Sequence, residues 1–460
     1  MGRMRTQARA FLLAVSSLTT VACAQERATI TVDPSARFQV MRGWEVTSDM
    51  TDDHPDSLPL YREKLYDMAV SDIGIDRLRL EIRSGAENNN QAWKKVSSGQ
   101  ISYEEWRPMR YPTVNDNDDP RVINWSGFDF SELDDTVDAI VLPMKRRVEQ
   151  RGERLFINLC YVAFTKQITQ GQYEHDDPEE YGEFVLATYL HLKEKYGFVP
   201  DSWEVLLEPD NGTRQWNPTV MAKAIVAASR RLSENGFSPA FVAPSTMDMA
   251  KAAPWIEEIA KTPGAMENIV EFSYHRYHNS NVDNAREIAT IGDRFGKPTA
   301  MLEWWFKNGN YRILREDLVE AKNASWQGQV LRTLFDVDYS EAKTPVVSIA
   351  DDTRMNLQYF RHVRFGAQRI GATSNDPKNT RPSAFVNRDK SFVIVADTRR
   401  AVTMTIRGAP AGMYTVSYAL AGRSVVEPEP VTSAPGGEIV VRMPGAGVVT
   451  VSSRLSADNR

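Results

Sequence analysis

The chain has 460 residues, which is long enough for one large domain and a smaller one. Its formal net charge of −6 argues against nucleic acid or an anionic membrane surface as a partner. The ten Trp residues exceed what a hydrophobic core needs, and exposed aromatic rings are the usual platforms for sugars.

Residues 1–24 are predicted to be an export signal that does not belong to the fold. Three arginines precede an apolar run over residues 11–21, and small residues then form a cleavage site. Cleavage removes Cys23 and leaves Cys160 as the single cysteine, so no internal disulfide is expected. We therefore expect a secreted or periplasmic protein without a membrane span, and lipid anchoring at Cys23 is the alternative.

After the signal, strand-like and helix-like segments alternate in a long series. The eight predicted strands are 38–46, 77–82, 155–159, 202–208, 240–243, 268–274, 299–303 and 345–349. Helices are predicted between them, including 131–150, 178–196 and 316–335, and a last one over 355–365. Eight strand–helix pairs predict an α/β fold, a (β/α)8 TIM barrel, with a doubly wound sheet as the alternative.

The last part of the chain has a different pattern. From residue 383 onward, short alternating strands are separated by Gly-rich and Asn/Asp-rich turns, which predicts an antiparallel β-sandwich. The alternating segment 28–32 is expected to join this sandwich. We therefore predict a catalytic barrel over residues 25–380 and a sandwich side domain over residues 381–455.

Two glutamates end predicted barrel strands. Glu208 follows an apolar run and is stopped by Pro209, and Glu303 ends a second run just before three aromatic residues. The carboxyl ends of barrel strands share one mouth, and two carboxylates about 5 Å apart suit a retaining glycosidase. In such a pair the nucleophile ionises first and raises the pKa of the other carboxyl. The alternative is that these glutamates form ion pairs with Arg77, Arg79 or Arg83.

Other candidate substrate-binding residues lie near predicted strand ends. They are Arg79, Trp44, Asn158, Asn211, Trp216, Trp304 and Trp305. We expect the tryptophans to stack on sugar rings and the asparagines to donate to hydroxyls, although Asn211 is equally consistent with a simple turn. Arg79 is expected either to hold a carboxylate at the mouth or to form a core ion pair. The aromatic-rich segment 84–127 is predicted to wall the cleft or to pack its own aromatics.

Neither a metal nor another cofactor is predicted. Residues 115–119 are rich in Asp and Asn but lack the glycine and terminal glutamate of a calcium-binding EF-hand loop. His275 and His278 lie three residues apart without a third zinc ligand.

Several motifs resemble the clan A glycoside hydrolases, and most closely family thirty, the glucosylceramidase and xylanase type. The motifs are Glu208-Pro209, Leu302-Glu303, the segment Ser273–Tyr277, residues 364–370 and residues 384–395. The resemblance implies that Glu208 is the acid/base, that Glu303 is the nucleophile, and that Tyr277 positions the nucleophile. It adds His275, from the His-x-Tyr element, to the expected substrate-binding residues.

The resemblance also implies a carbohydrate partner and a β-linked substrate, and we expect a monomer. One departure from the clan stands out, because Leu207 occupies the position where these enzymes carry an asparagine that contacts the sugar 2-hydroxyl. Leu207 keeps a second hypothesis open, a catalytically inactive carbohydrate-binding protein on a glycosidase scaffold.

Overall fold

The computed structural model describes residues 26–50, 57–305, 309–340, 344–420, 422, 430–433 and 437–453. The predicted export signal lies outside these residues. The strands of the first half are β1 Arg27–Val40, β2 Gly43–Thr47, β3 Arg77–Arg83, β4 Phe156–Val162, β5 Ser202–Glu204, β6 Phe241–Asp248, β7 Ile269–His278, β8 Thr299–Glu303 and β9 Asn323–Trp326. Those of the second half are β10 Phe335–Asp338, β11 Val346–Ile349, β12 Gln368–Ser374, β13 Thr380–Val386, β14 Phe392–Thr398, β15 Val402–Arg407, β16 Gly412–Leu420, β17 Pro430–Ser433, β18 Ile439–Met443 and β19 Gly447–Ser453.

Helices connect most of the barrel strands. They are α1 Leu58–Asp67, α2 Ala92–Ser97, α3 Tyr103–Trp106, α4 Ser131–Thr136, α5 Leu142–Gln150, α6 Pro178–Tyr196, α7 Pro218–Glu234, α8 Ala252–Ile259, α9 Val282–Phe295, α10 Tyr311–Val319 and α11 Asp351–Phe360. A π-helical turn, Val137–Val141, joins α4 to α5, so the predicted helix over 131–150 is continuous. Among the described residues, none of the helices has the length and apolar character needed to cross a membrane.

The strands β2 to β9 form a closed barrel of parallel strands, which confirms the predicted TIM fold. Residues of β3 show how the barrel wall is built. Leu78 and Leu80 belong to the apolar core around the barrel, whereas Arg77 and Arg79 ion-pair with carboxylates of other barrel strands. The interior of this barrel is therefore charged, and the apolar side chains of its strands pack outward against the helices.

The predicted first strand, 38–46, is wrong because it is two strands. β1 runs antiparallel to β12 and parallel to β15, so the segment 28–32 lies in the second sheet. The chain then turns at Gly43, whose φ of +114° favours glycine. A Cβ there would lie 2.8 Å from Oδ1 of Asp76, the atom that accepts a hydrogen bond from the Trp44 N–H.

The predicted helix over 316–335 and the predicted eighth strand are also wrong. The helix ends at Val319, and the eighth barrel strand is β9, which pairs with β8 and β2. β11 instead forms a hairpin with β10 outside the barrel. β9 has only four residues, and its Asn323 and Ser325 hydrogen-bond to Thr299 of β8 and Glu271 of β7, so it lacks an apolar strand pattern.

The second sheet has nine strands in the order β17-β16-β19-β14-β13-β12-β1-β15-β18 and is mostly antiparallel. It includes β12, ahead of the predicted boundary at residue 381. Side chains from most of its strands enclose one apolar core. Helix α11 packs against β16 and β19, where Ser417 donates to the Gln358 side chain and Thr450 donates to the Gln358 carbonyl. The sheet is thus fastened to the barrel through α11.

Candidate active site

The two predicted catalytic glutamates meet at the barrel mouth. Glu303 is the last residue of β8. Glu208 lies four residues beyond the end of β5, but backbone hydrogen bonds to the two neighbouring strands continue as far as the Glu208 backbone N–H. Both side chains are 5% exposed. A carboxylate oxygen of Glu208 lies within 4.8 Å of one of Glu303. Glu208 also has a φ of +47°, a strained conformation of the kind found at functional sites.

Glu303 is held by two donors. Nη2 of the fully buried Arg79 lies 2.5 Å from its Oε2, and the Tyr277 hydroxyl donates to its Oε1 at 2.9 Å. The backbone N–H of Trp305 in turn donates to the Tyr277 hydroxyl oxygen at 3.4 Å. Burial raises the pKa of Glu303, although the Arg79 guanidinium works against this. Arg79 therefore pairs with Glu303, one of the two roles expected for it.

Glu208 is held by a histidine and an amide. Nδ1 of His275 lies 3.1 Å from its Oε1, and Asn211 donates to its Oε2 at 2.9 Å. Burial would raise the pKa of Glu208, but the hydrogen bond and charge of His275 outweigh it and lower the pKa. Burial would likewise lower the pKa of His275, but Glu303 and Glu208 raise it.

The pKa of Glu303 is thus raised and that of Glu208 lowered, which is opposite to the expected order, in which Glu303 ionises first and Glu208 keeps the proton. The reason is His275, a basic group directly bonded to Glu208. His275 therefore favours the ionised form of Glu208.

Glu208, His275 and Glu303 are spaced closely enough to surround a cation. The Arg79 guanidinium already neutralises Glu303 at 2.5 Å, and Nδ1 of His275 is engaged with Glu208. A cation would have to displace both contacts, so we assign no metal to this group.

Trp304 and Trp305 directly follow Glu303 in the chain, and Trp304 packs against the apolar core around the barrel. The Arg79 guanidinium is 5.8 Å from the Trp305 ring, and the Arg276 guanidinium is 5.3 Å from the Trp304 ring. Trp305 also lines a cavity of about 640 Å³. The rest of its lining is rich in carboxylates and comprises Asp49, Gly328, Gln329, Val330, Arg332, Thr333, Phe335, Asp336, Ala350, Asp351 and Asp352.

Three predicted substrate-binding residues are not at the mouth. Trp44 points outward, packs on Phe360 of α11 with 4.7 Å between ring centroids, and donates to a backbone carbonyl. Trp216 is buried and donates to Tyr173 at 2.8 Å. Asn158 lies inside the barrel, where its amide is used by Glu204 and Ser202. Trp44 is thus on the outer face of its strand, Trp216 lies in the segment between β5 and α7, and Asn158 faces inward but is engaged by structural partners.

A set of buried charges deeper in the barrel was not predicted from the sequence. They are Glu45, Glu204 and Glu271, with Arg77 among them as an ion-pair partner. A signal was present, because Glu204 interrupts an otherwise apolar strand, and a buried charge requires a partner.

The segment 84–127 largely packs its own aromatics. The rings of Trp93 and Trp106 lie 4.9 Å apart. Tyr111 reaches further and forms a small apolar cluster with Leu207, Cys160 and Val162, packed against Phe164 and Ile168. The residue at the position of the clan's asparagine therefore belongs to an apolar cluster beside Glu208.

Several solved structures similar to this chain are glycoside hydrolases. A GH30 endoxylanase from Clostridium papyrosolvens matches with a TM-score of 0.65 and 16% identity, covering 93% of this chain and 100% of that chain. The catalytic domain of GH30 xylanase C from Talaromyces cellulolyticus gives a TM-score of 0.66 with the same identity and coverage. The chain shares the fold of family 30 glycoside hydrolases.

An endo-β1,6-glucanase has the same fold, with a TM-score of 0.64, 15% identity and coverage of 93% of this chain and 94% of its own. A conserved exported protein from Bacteroides fragilis is also similar, with a TM-score of 0.65, 14% identity and coverage of 92% and 100%. Neither the protein-family models nor the curated proteins give a match. The scaffold is thus one that glycosidases use, and the sequence has diverged far from these structures.

Proposed function

We propose that this protein is an exported, retaining glycoside hydrolase that cleaves β-glycosidic bonds in a polysaccharide or oligosaccharide. The observation that carries the proposal is the pair of glutamates at the mouth, with carboxylate oxygens within 4.8 Å of each other. Retaining enzymes hold their two carboxyl groups about 5 Å apart, whereas inverting enzymes need roughly 6.5–9.5 Å to admit a water. The shared fold supports a divergent relative of family 30.

In this proposal Glu303 is the nucleophile. Its carboxylate attacks the anomeric carbon while the bond to the leaving oxygen breaks and Glu208 delivers a proton to that oxygen. Arg79 and Tyr277 fix the orientation of Glu303 and stabilise its negative charge before the attack. In the second step Glu208 takes a proton from water, which attacks the glycosyl–enzyme ester. Two carboxyl groups and water suffice, so the chemistry needs no cofactor.

The cavity beside Trp305 favours an uncharged sugar. It combines an aromatic ring with four aspartates against one cation, Arg332, so that hydroxyls find hydrogen-bond acceptors and a uronate meets a net negative charge. We therefore propose neutral β-linked glucans, xylans or galactans as the substrate class.

The deciding experiment measures reducing-sugar release from β-glucans, xylans, galactans and uronic-acid polymers by the wild type and Glu303→Gln. We expect release from a neutral polymer by the wild type only. Proton NMR of the first product should show the β-anomer, because double displacement retains configuration. A first product of α configuration would exclude the retaining mechanism, and equal release by both proteins would exclude Glu303 as the nucleophile.

Export is proposed from residues 1–24. Expression of the full chain in a bacterium with a periplasm should yield a mature protein that begins at Gln25. Recovery of the uncleaved chain in the cytoplasm would refute this part of the proposal.

The second candidate is a carbohydrate-binding protein without turnover. It is favoured by Leu207, which brings an apolar cluster to the side of Glu208. Calorimetric binding of an oligosaccharide that is not hydrolysed, with the same affinity in Glu303→Gln, would establish this candidate in place of the hydrolase.

A further inference from the structure

A second buried carboxylate lies behind His275. Glu204, on β5, and His275, on β7, are both fully buried. Nε2 of His275 and Oε1 of Glu204 are 4.0 Å apart. Within the described part of the chain neither atom has a hydrogen-bond partner. On its other side, Glu204 is held in place because Asn158 donates to its Oε2 at 3.0 Å.

His275 thus lies between two carboxylates. Its Nδ1 faces Glu208 at 3.1 Å, and its Nε2 faces Glu204. An imidazolium has a donor on each ring nitrogen, whereas neutral imidazole has one donor and one acceptor. Only the charged form can offer a proton to both carboxylates, and the neutral form would leave one nitrogen lone pair directed at a carboxylate oxygen.

The wider surroundings also favour a cation at His275. Glu303 from β8 adds a third carboxylate, and Arg79 from β3 is the cation that opposes it. Two other titratable groups lie in this region. The ring centroid of Tyr277 lies 6.4 Å from that of His275, and Cys160 interacts electrostatically with Glu204 and Arg79. Burial disfavours the imidazolium, but Glu303 and Glu208 outweigh it and raise the pKa of His275.

We propose that Glu204 is a positioning residue that, together with Glu208 and Glu303, keeps His275 protonated, so that His275 stores the proton that Glu208 delivers to the leaving group. The role in delivery rests on the proposed glycosidase function, but the effect of Glu204 on His275 does not.

The proton transfers balance in this scheme. The Nδ1–H bond of His275 breaks, its electron pair stays on Nδ1, and the proton binds the Glu208 carboxylate. Glu208 then passes this proton to the leaving glycosidic oxygen. In the second step Glu208 takes a proton from the attacking water and returns it to Nδ1. The Nε2–H remains directed at Glu204 throughout.

The first test follows the six histidines by nitrogen-15 NMR of their imidazole rings as a function of pH. A His275→Asn variant serves only to assign the His275 signals. In the wild type we expect both ring nitrogens of His275 to be protonated at neutral pH. A neutral His275 under these conditions would overturn the proposal without any further variant.

The second test repeats this titration with Glu204→Gln, which removes the charge and keeps the shape. We expect the pKa of His275 to fall by about one pH unit or more, the usual effect of losing an opposite charge at this distance. Glu204→Asp keeps the charge but moves it further from His275, so the pKa of His275 should fall by less. This variant replaces Glu204→Gln if the latter does not fold. The matched control is Glu271→Gln, an equally buried carboxylate on β7 that contacts Arg77 instead and should leave His275 unchanged.

The kinetic readout is the pH profile of kcat/KM. Loss of the stored proton stops acid catalysis, so the basic limb should move to lower pH in Glu204→Gln by the same amount as the His275 titration. An unmoved titration overturns the role of Glu204, whatever the activity. A titration that moves while the basic limb stays fixed overturns the storage role. If no sugar polymer is hydrolysed, the glycosidase proposal fails, and the titration still decides what Glu204 does.

Discussion

Two arginines on β3, only two residues apart, form the centres of two buried charge clusters in this barrel. Arg77 lies deeper and bonds Glu45, Glu271 and Ser325, and both oxygens of Glu271 are engaged. Arg79 lies at the mouth and bonds Glu303. Burial would raise the pKa of both glutamates, yet that of Glu271 is lowered by Arg77 while that of Glu303 is raised.

The difference shows that a buried ion pair alone does not identify an active site. In the deep cluster Arg77, Glu271 and Ser325 satisfy one another, and among the described residues only Oε1 of its Glu45 lacks a hydrogen-bond partner. The mouth cluster adds features that ion pairing does not require, namely a second carboxylate within 4.8 Å, a tyrosine on the first, and a histidine on the second. Additional polar groups around a shared space of this kind distinguish a candidate catalytic site from a structural ion-pair cluster.

The largest effect is expected at the mouth. Glu303→Gln should lower kcat/KM by a factor on the order of 10⁴, because it removes the nucleophile while Arg79 and Tyr277 stay in place. The melting temperature should remain close to that of the wild type. Steady-state kinetics on the best polymer and a thermal melt check both expectations. Activity within tenfold of the wild type would contradict the assignment.

The deep cluster should show the opposite pattern. Glu271→Gln should cost about 3 kcal/mol of unfolding free energy, since Arg77 loses a buried partner, and kcat should stay within a few-fold. Urea unfolding and kinetics measure the two quantities. A large fall in kcat from a stably folded variant would show that the two clusters are not separate.

The same variant tests pH dependence. The pKa of Glu271 lies below its ordinary value of 4.5, so its ionised form stabilises the fold above that pH. This contribution is lost as the pH falls through the lowered pKa. Glu271→Gln should therefore show a weaker loss of stability with acid than the wild type.

The fold class could be predicted because its signals were long and repeated. The strand–helix alternation and the turn-rich last segment each involve many residues, and errors in single elements did not alter the count. The eighth strand failed because β9 is only four residues long and turns a polar side chain, Ser325, into the barrel, where it bonds Arg77 and Glu271. That error moved the boundary of the second sheet as well, since β12 was taken as part of the barrel.

The glutamate pair could be predicted because strand ends in a barrel share a mouth, and this needs only sequence position. Which side chains of each strand point into the barrel could not be predicted. In this barrel the interior is charged, so Glu45 faces inward and its neighbour Trp44 packs outside. The lowered pKa of Glu208 was equally out of reach, because it depends on a 3.1 Å contact with His275, which lies 67 positions away in the sequence.

A smaller effect is expected at Tyr277, which belongs only to the mouth cluster. Tyr277→Phe removes one hydrogen bond to a buried carboxylate, so kcat/KM should fall by roughly tenfold to a hundredfold. Stability should change by less than in Glu271→Gln. Kinetics beside a urea titration would separate the two effects, and an unchanged kcat/KM would mean that Arg79 alone orients Glu303.

The smallest effects separate a tryptophan at the mouth from one in the core. Trp305→Ala should raise KM by about tenfold, because its ring lines the cavity that we propose receives the sugar. Trp44→Phe should leave KM unchanged and cost about 1–3 kcal/mol of stability, because it loses a buried hydrogen bond to the Val363 carbonyl. For both variants, the inhibition constant of an oligosaccharide product measures sugar binding, and the urea midpoint measures stability. Equal changes in KM would mean that the sugar does not enter the cavity at Trp305, which would also remove the argument for an uncharged substrate.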